Sequence, residues 1–169
     1  MLYKMPLLFL LFCSFSYSQT GHNIKDIDTA LNRVFSEYKL NIVEKFTDPD
    51  SDNILYTING IGNNAEAFDK YDKTQIEISV FQQGSNKNFT YVVMETIIST
   101  PSFSTEKKYK FLNQWSGPPA RVHVSWVNEN RVNLSITDII MTTGDSYPRL
   151  QDAMISLFGG LYDLKNKLK

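Results

Sequence analysis

The sequence contains a single cysteine, Cys13, and it lies within the first eighteen residues. Those residues combine a positive charge, a short apolar run and small side chains before Gln19, which is the pattern of a cleaved secretory signal. Cleavage between Ser18 and Gln19 leaves no thiol, and so excludes disulfides, thiolate nucleophiles and Cys-ligated metals. We expect residues 1–18 to be a signal peptide, and residues 19–169 to be a single domain that is periplasmic or secreted.

The sequence is also poor in histidine, in excess charge and in long apolar runs. Seventeen basic and eighteen acidic residues give a net charge of -1, without the basic stripe that neutralises phosphates in nucleic-acid-binding proteins. No apolar run reaches the roughly 20 residues that span a bilayer, so we expect no stable membrane insertion after signal cleavage. With only His22 and His123 available, we expect no His-based metal site, no cofactor and no enzymatic activity.

Periodic apolar patterns predict an α+β domain with an antiparallel sheet. Apolar residues recur every three or four positions in helices and every two in strands. A Gly-Gly pair in the last helix predicts an interruption there, either a bend or close backbone packing. The predicted order is α-β-β-β-α-β-β-α. Its elements are a helix over 26–40 with Asp26 as N-cap, strands beginning at Ile54, Ile76 and Phe89, a helix capped by Ser104 or Thr105, a hairpin pairing Val122, Val124 and Trp126 with Val132, Leu134 and Ile136, and a helix from Ser146 containing Gly159 and Gly160.

An acidic segment precedes the first predicted strand. Asp48, Asp50 and Asp52 occupy every second position, as the acidic ligands at the start of calcium-binding loops do. That spacing suits a hard cation, which takes several converging oxygen ligands. Asn53 stands where an EF-hand has Gly, and Asn59 where it has a bidentate Glu, so an EF-hand is not supported. A weak isolated calcium site and a turn whose Asp side chains bond their own backbone both remain open.

The second half of the chain carries a family resemblance. The run Phe111-Leu112-Asn113-Gln114-Trp115, followed by a hairpin and a long closing helix, resembles the YbjN family. The element order is similar to the type III secretion chaperone fold. The motif positions carried over are Asn113 and Trp115, whereas Ser116 stands where the family often has a second Asn. The resemblance implies a non-enzymatic domain for regulation or protein binding.

Four residues are therefore the binding candidates: Asn113, Trp115, Trp126 and Tyr109. The leading hypothesis is an exported, non-enzymatic protein-binding module of the bacterial cell envelope, chaperone-like or regulatory. Its partner is an unknown protein or a second copy in a homodimer. The alternative is a periplasmic domain that binds a small ligand in a pocket lined by Trp126 and Tyr109.

Overall fold

The computed structural model describes residues 24–60, 75–82, 89–115, 122–141 and 146–168. These residues form three helices on one face of a six-stranded antiparallel sheet. The signal peptide and its cleavage site lie outside the described residues and remain predictions, and the positions of His22 and Ser116 also lie outside them.

The sheet has the strand order β1-β2-β3-β4-β6-β5, and all neighbouring strands are antiparallel. The α+β class is confirmed, and the observed order differs from the predicted one by a single additional strand, β1. The elements are α1 (Ile24–Glu37), β1 (Leu40–Thr47), β2 (Ile54–Gly60), β3 (Ile76–Gln82), β4 (Phe89–Ser99), α2 (Thr105–Gln114), β5 (Val122–Asn128), β6 (Arg131–Met141) and α3 (Ser146–Lys167).

Strand β1 occupies a stretch, between the predicted first helix and the acidic segment, where the sequence predicted no strand. The helix ends at Glu37 rather than at residue 40, and Lys39 adopts a φ of 50°, a left-handed conformation that redirects the chain. The pairing of β1 with β2 shifts register between Ile42 and Glu44, which leaves Val43 as a bulge. Because a bulge breaks the two-residue period, and because β1 is exposed at every residue after Leu40, the sequence shows no clean strand pattern here.

Helix α1 begins two residues earlier than predicted. Asp26 is therefore not the N-cap but lies in the first turn, where its negative charge interacts favourably with the helix dipole. The apolar stripe is confirmed, because Ile27, Leu31 and Val34 are fully buried. They pack with α3 over the inner face of the sheet, where the fully buried side chains include Tyr56, Ile58, Ile76, Ile78, Met94, Leu134 and Ile136.

Helix α3 is continuous through its Gly-Gly pair, so the predicted interruption is wrong. The predicted close packing is confirmed for Gly160 alone. A Cβ atom built on Gly160 would lie 2.9 Å from Cγ1 of Val122 in β5, whereas one built on Gly159 would meet nothing within 4 Å. Gly160 thus allows α3 to approach the edge of the sheet.

Candidate interaction surface

Helix α2 is short, and its ends are defined by local hydrogen bonds. Of the two predicted caps, Ser104 is the one used: its hydroxyl accepts a hydrogen bond from the backbone N–H of Lys107 at 3.4 Å. At the other end, the N–H of Trp115 donates to the carbonyl of Leu112 at 3.2 Å. No α2 residue whose exposure is described is fully buried, so the helix lies at the margin of the core.

An aromatic cluster joins α2 to β5. The predicted hairpin register is confirmed, with Trp126 opposite Val132, and Val132 is fully buried. The ring centroid of Trp126 lies 5.5 Å from that of Phe103 and 6.1 Å from that of Phe111. Phe111 in turn lies 5.8 Å from Trp115. We call these four residues the aromatic cluster, and all four are partly exposed.

The structure brings only part of the predicted site together. Trp115 and Trp126 belong to the aromatic cluster, whereas Asn113 is exposed and Tyr109 is 65% exposed on α2. Among the described residues, Trp126 makes its aromatic contacts with Phe103 and Phe111 rather than with Tyr109. The indole N–H of Trp126 is buried without a hydrogen-bond partner in this part of the chain, so Trp126 acts through packing.

Two lysines complete this surface, and the sequence reasoning missed both. The ammonium group of Lys108 lies 5.3 Å from the ring centroid of Trp126 and donates a hydrogen bond to the carbonyl of Asn128 at 3.3 Å. That of Lys167, at the end of α3, lies 5.0 Å from the ring centroid of Trp115. These are cation–π distances. The signal available in the sequence was the close spacing of three lysines in α2, at positions 107, 108 and 110. We call the aromatic cluster, Tyr109, the α2 lysines, Lys167 and the outer edge of β5 the α2–β5 surface.

The two edge strands of the sheet differ in how they are protected. Strand β1 has a bulge at Val43, and Glu44 and Lys45 follow directly; bulges and charges are the usual means of preventing unwanted strand pairing. Strand β5 reads Val-His-Val-Ser-Trp-Val-Asn and contains no Lys, Arg, Asp, Glu or Pro. In the described part of the chain, β5 pairs only with β6. Like β1 it has one register shift, which leaves Val127, near the end of the strand, without a partner residue in β6.

A second candidate site lies on the face of the sheet opposite the helices. A groove of about 290 Å³ is lined by Gln75, Glu77, Glu95, Thr96, Ile97 and Arg131. Glu77 and Glu95 face each other across β3 and β4, where like charges disfavour pairing. The amide of Asn133 donates a hydrogen bond to Glu95 at 3.3 Å. The groove includes none of the four predicted binding residues.

In the acidic turn, the carboxylate of Asp48 is engaged by neighbouring residues of the turn itself. Asp48 accepts hydrogen bonds from the backbone N–H of Asp50 at 3.0 Å and from the hydroxyl of Ser51. These two hydrogen bonds lower the pKa of Asp48 from its usual 3.8, because both favour the ionised carboxyl group. The Ser51 hydroxyl has the larger effect and the Asp50 amide the smaller one. In the residues that the structure describes, no group of three or more His, Cys, Asp or Glu side chains could hold a metal ion.

Two polar networks connect elements of the scaffold. The hydroxyl of the fully buried Tyr56 donates to Asp28 of α1, which also accepts hydrogen bonds from Lys45 of β1 at 2.8 and 2.9 Å. Asp138, 4% exposed in β6, pairs with Arg149 of α3 at 2.6 Å. These networks attach β1 to α1 and β6 to α3.

Comparison with family models, with curated proteins and with solved structures gives no match to this chain. The resemblance to the YbjN family therefore remains a prediction from the sequence. Among the helices described, none has the length and apolar character needed to cross a membrane.

Proposed function

We propose that this chain is an exported, non-enzymatic protein-binding module of the bacterial cell envelope, and that it engages its partner at the α2–β5 surface. The observation that carries the proposal is the difference in charge between the two sheet edges: both strands have one register shift, but β1 carries two charged residues and β5 carries no charged residue or proline. An unguarded strand edge offers backbone N–H and C=O groups to an added strand.

The aromatic cluster supplies the apolar contact that strand addition alone lacks. Partly exposed Trp and Phe side chains provide a large contact area at low conformational cost, and such residues are enriched in protein interfaces. A strand added beside β5 would pass Trp126 and Val124 on the inner side of the sheet and His123 and Ser125 on the outer side. Protein binding is also what the YbjN resemblance implies, and the predicted signal peptide supports a periplasmic or secreted location.

The small-ligand alternative has less support. It requires a pocket between Trp126 and Tyr109, but Trp126 packs on other rings and Tyr109 is mostly exposed. A homodimer formed by pairing β5 with β5 of a second copy would use the same edge, and it is a form of the same proposal.

Site-specific photo-crosslinking in cells of the source organism tests the location of the interface. Val127, in β5, and Ile155, in α3, are both apolar and similarly exposed, at 51% and 50%. A photoreactive amino acid at Val127 is expected to give a discrete higher-mass adduct, whereas one at Ile155 gives none. Equal adduct formation from both positions, or none from either, would contradict the proposed function.

A further inference from the structure

Four lysines at the α2–β5 surface carry charge that no carboxylate in the described chain neutralises by an ion pair. Two other cations of the described chain do have carboxylate partners: Lys45 lies 2.8 Å from Asp28, and Arg149 lies 2.6 Å from the buried Asp138. Two of the four lysines lie over indole rings, and the side chains of the other two make no hydrogen bond, ion pair or ring contact with the residues that the structure describes. The four are Lys107, Lys108, Lys110 and Lys167.

The near-zero net charge of the chain conceals a separation of charge across the sheet. The α2–β5 surface lies at one edge, and β1 with its acidic turn lies at the other. Three acidic residues lie near the four lysines: Glu106 in α2, Glu129 in the turn after β5, whose carbonyl accepts a hydrogen bond from the N–H of Phe103, and Asp163, one turn before Lys167 in α3. The local excess is therefore positive, beside a strand edge that itself carries no charged residue.

We propose that the partner engaged at the α2–β5 surface is an acidic polypeptide segment in extended conformation. It adds to β5 as a strand, and its carboxylates lie against Lys107, Lys108, Lys110 and Lys167. Complementary charge increases the rate of encounter and rejects unlike partners, while main-chain hydrogen bonds to β5 supply the directional contact. This inference rests on the proposed function and adds the chemical class of the partner.

Two other occupants of this surface fit less well. In a homodimer paired about Ser125 of β5, the two α2 helices would lie side by side on the same face of the sheet, and their lysines would repel each other. A nucleic acid or an anionic lipid would neutralise the charge of the lysines. Neither, however, has peptide groups that could form backbone hydrogen bonds with the free edge of β5. An acidic extended peptide satisfies both features.

The chain offers a matched pair of charge-reversal variants. Lys107→Glu/Lys110→Glu alters two exposed lysines whose side chains make no hydrogen bond or ion pair within the described chain, and Glu at position 107 completes a capping box with Ser104, so α2 is retained. Lys25→Glu/Lys39→Glu makes the same change in net charge at two exposed lysines remote from α2. Any effect of net charge alone is common to both variants.

Intrinsic fluorescence provides a local readout, because the two tryptophans of the chain, Trp115 and Trp126, both lie in the aromatic cluster. The probes are three capped peptides of alternating residues: Glu-Thr, Gln-Thr and Lys-Thr repeats. An oligothymidylate and phosphatidylglycerol vesicles are titrated in parallel. Amide hydrogen exchange of β5 in the presence of each probe reports strand addition independently of charge.

We expect the Glu-Thr peptide to bind at least about tenfold more tightly than the Gln-Thr peptide, and the Lys-Thr peptide not to bind. Individual exposed ion pairs are weak, so reversing two lysines together is expected to remove about tenfold of that affinity, with no such loss in the Lys25→Glu/Lys39→Glu variant. Raising the salt concentration to about 1 M, where the Debye length falls to about 3 Å, should remove most of the preference.

The outcomes separate the inference from the proposed function. Equal binding of the Glu-Thr and Gln-Thr peptides, with β5 protected by both, overturns the acidic partner and leaves strand addition standing. Failure of all three peptides overturns the inference, and the absence of any adduct at Val127 then overturns the proposed function as well. Binding of the oligonucleotide or the vesicles without peptide binding overturns the inference, as does a β5-mediated dimer that excludes the acidic peptide.

Discussion

The adjacent glycines of α3 should differ in their response to the same substitution. A methyl group on Gly159 would enter open space. A methyl group on Gly160 would lie 2.9 Å from Cγ1 and 3.5 Å from Cγ2 of Val122, and 3.6 Å from Cδ2 of Leu134. The first of these distances is well inside van der Waals contact, which is about 3.5–4.0 Å between carbon atoms.

The expected magnitudes follow from two opposing effects. Replacing Gly by Ala within a helix stabilises it by about 0.8–1 kcal/mol, and Gly159→Ala should gain this in full. At Gly160 the same gain is opposed by overpacking, which typically costs about 1–3 kcal/mol. Val122 is β-branched and held in β5, so its methyl groups cannot withdraw as a flexible chain end would. Gly160→Ala should therefore be less stable than Gly159→Ala by about 1–3 kcal/mol.

Urea denaturation of the chain without residues 1–18, followed by far-ultraviolet circular dichroism, measures both free energies of unfolding. The comparison is valid where the denaturant slope is unchanged. A double-mutant cycle with Val122→Ala supplies the control, since the smaller side chain makes room for the new methyl group and the Gly160→Ala penalty should shrink. Equal stabilisation by the two Gly→Ala substitutions would show that α3 does not approach β5 closely at Gly160, and would refute the reasoning.

Three further predictions concern polar groups. Arg149→Leu leaves Asp138, 4% exposed, without its cationic partner. Because Arg149 itself is half-exposed, we expect the free energy of unfolding to fall by only about 1–3 kcal/mol. A loss below about 0.5 kcal/mol would show that the ion pair does not stabilise the fold. Tyr56→Phe removes the phenolic hydrogen bond between β2 and α1. It should lower the free energy of unfolding by about 0.5–1.5 kcal/mol in the same denaturation assay. An unchanged denaturation midpoint would show that this hydrogen bond contributes nothing to stability. A titration of the carboxyl carbon by NMR should give Asp48 a pKa below 3.8, and this pKa should rise in Ser51→Ala. Since the pKa of Asp48 is lower in the folded than in the unfolded chain, its carboxylate stabilises the fold above pH 3.8 and loses that contribution as the pH falls through the folded pKa. An unchanged pKa in Ser51→Ala would exclude the hydroxyl as the cause.

Much of the fold could be predicted because its signals are local. The Ser104 cap, the alternation in β3 and the facing of Trp126 and Val132 each depend on the geometry of a few consecutive residues. Strand β1 could not be predicted in the same way. Its bulge at Val43 interrupts the alternation, and its pairing is with a strand that begins after an intervening turn.

The candidate site shows the same division between local and long-range information. The aromatic residues and lysines of α2 are visible in the sequence, as is the absence of charge in β5. Other features follow only from the packing of α2, α3 and β5: Lys167 lies over Trp115, Trp126 packs on Phe103 and Phe111, and Tyr109 is mostly exposed.

The sequence by itself determined the type of nearly every element and the side of each that is apolar, because side-chain period is a property of the local backbone. Only the tertiary structure decided which elements meet, which sheet edge lacks protection and which of two neighbouring glycines is required. Those outcomes depend on contacts between residues far apart in the chain, and no local pattern encodes them.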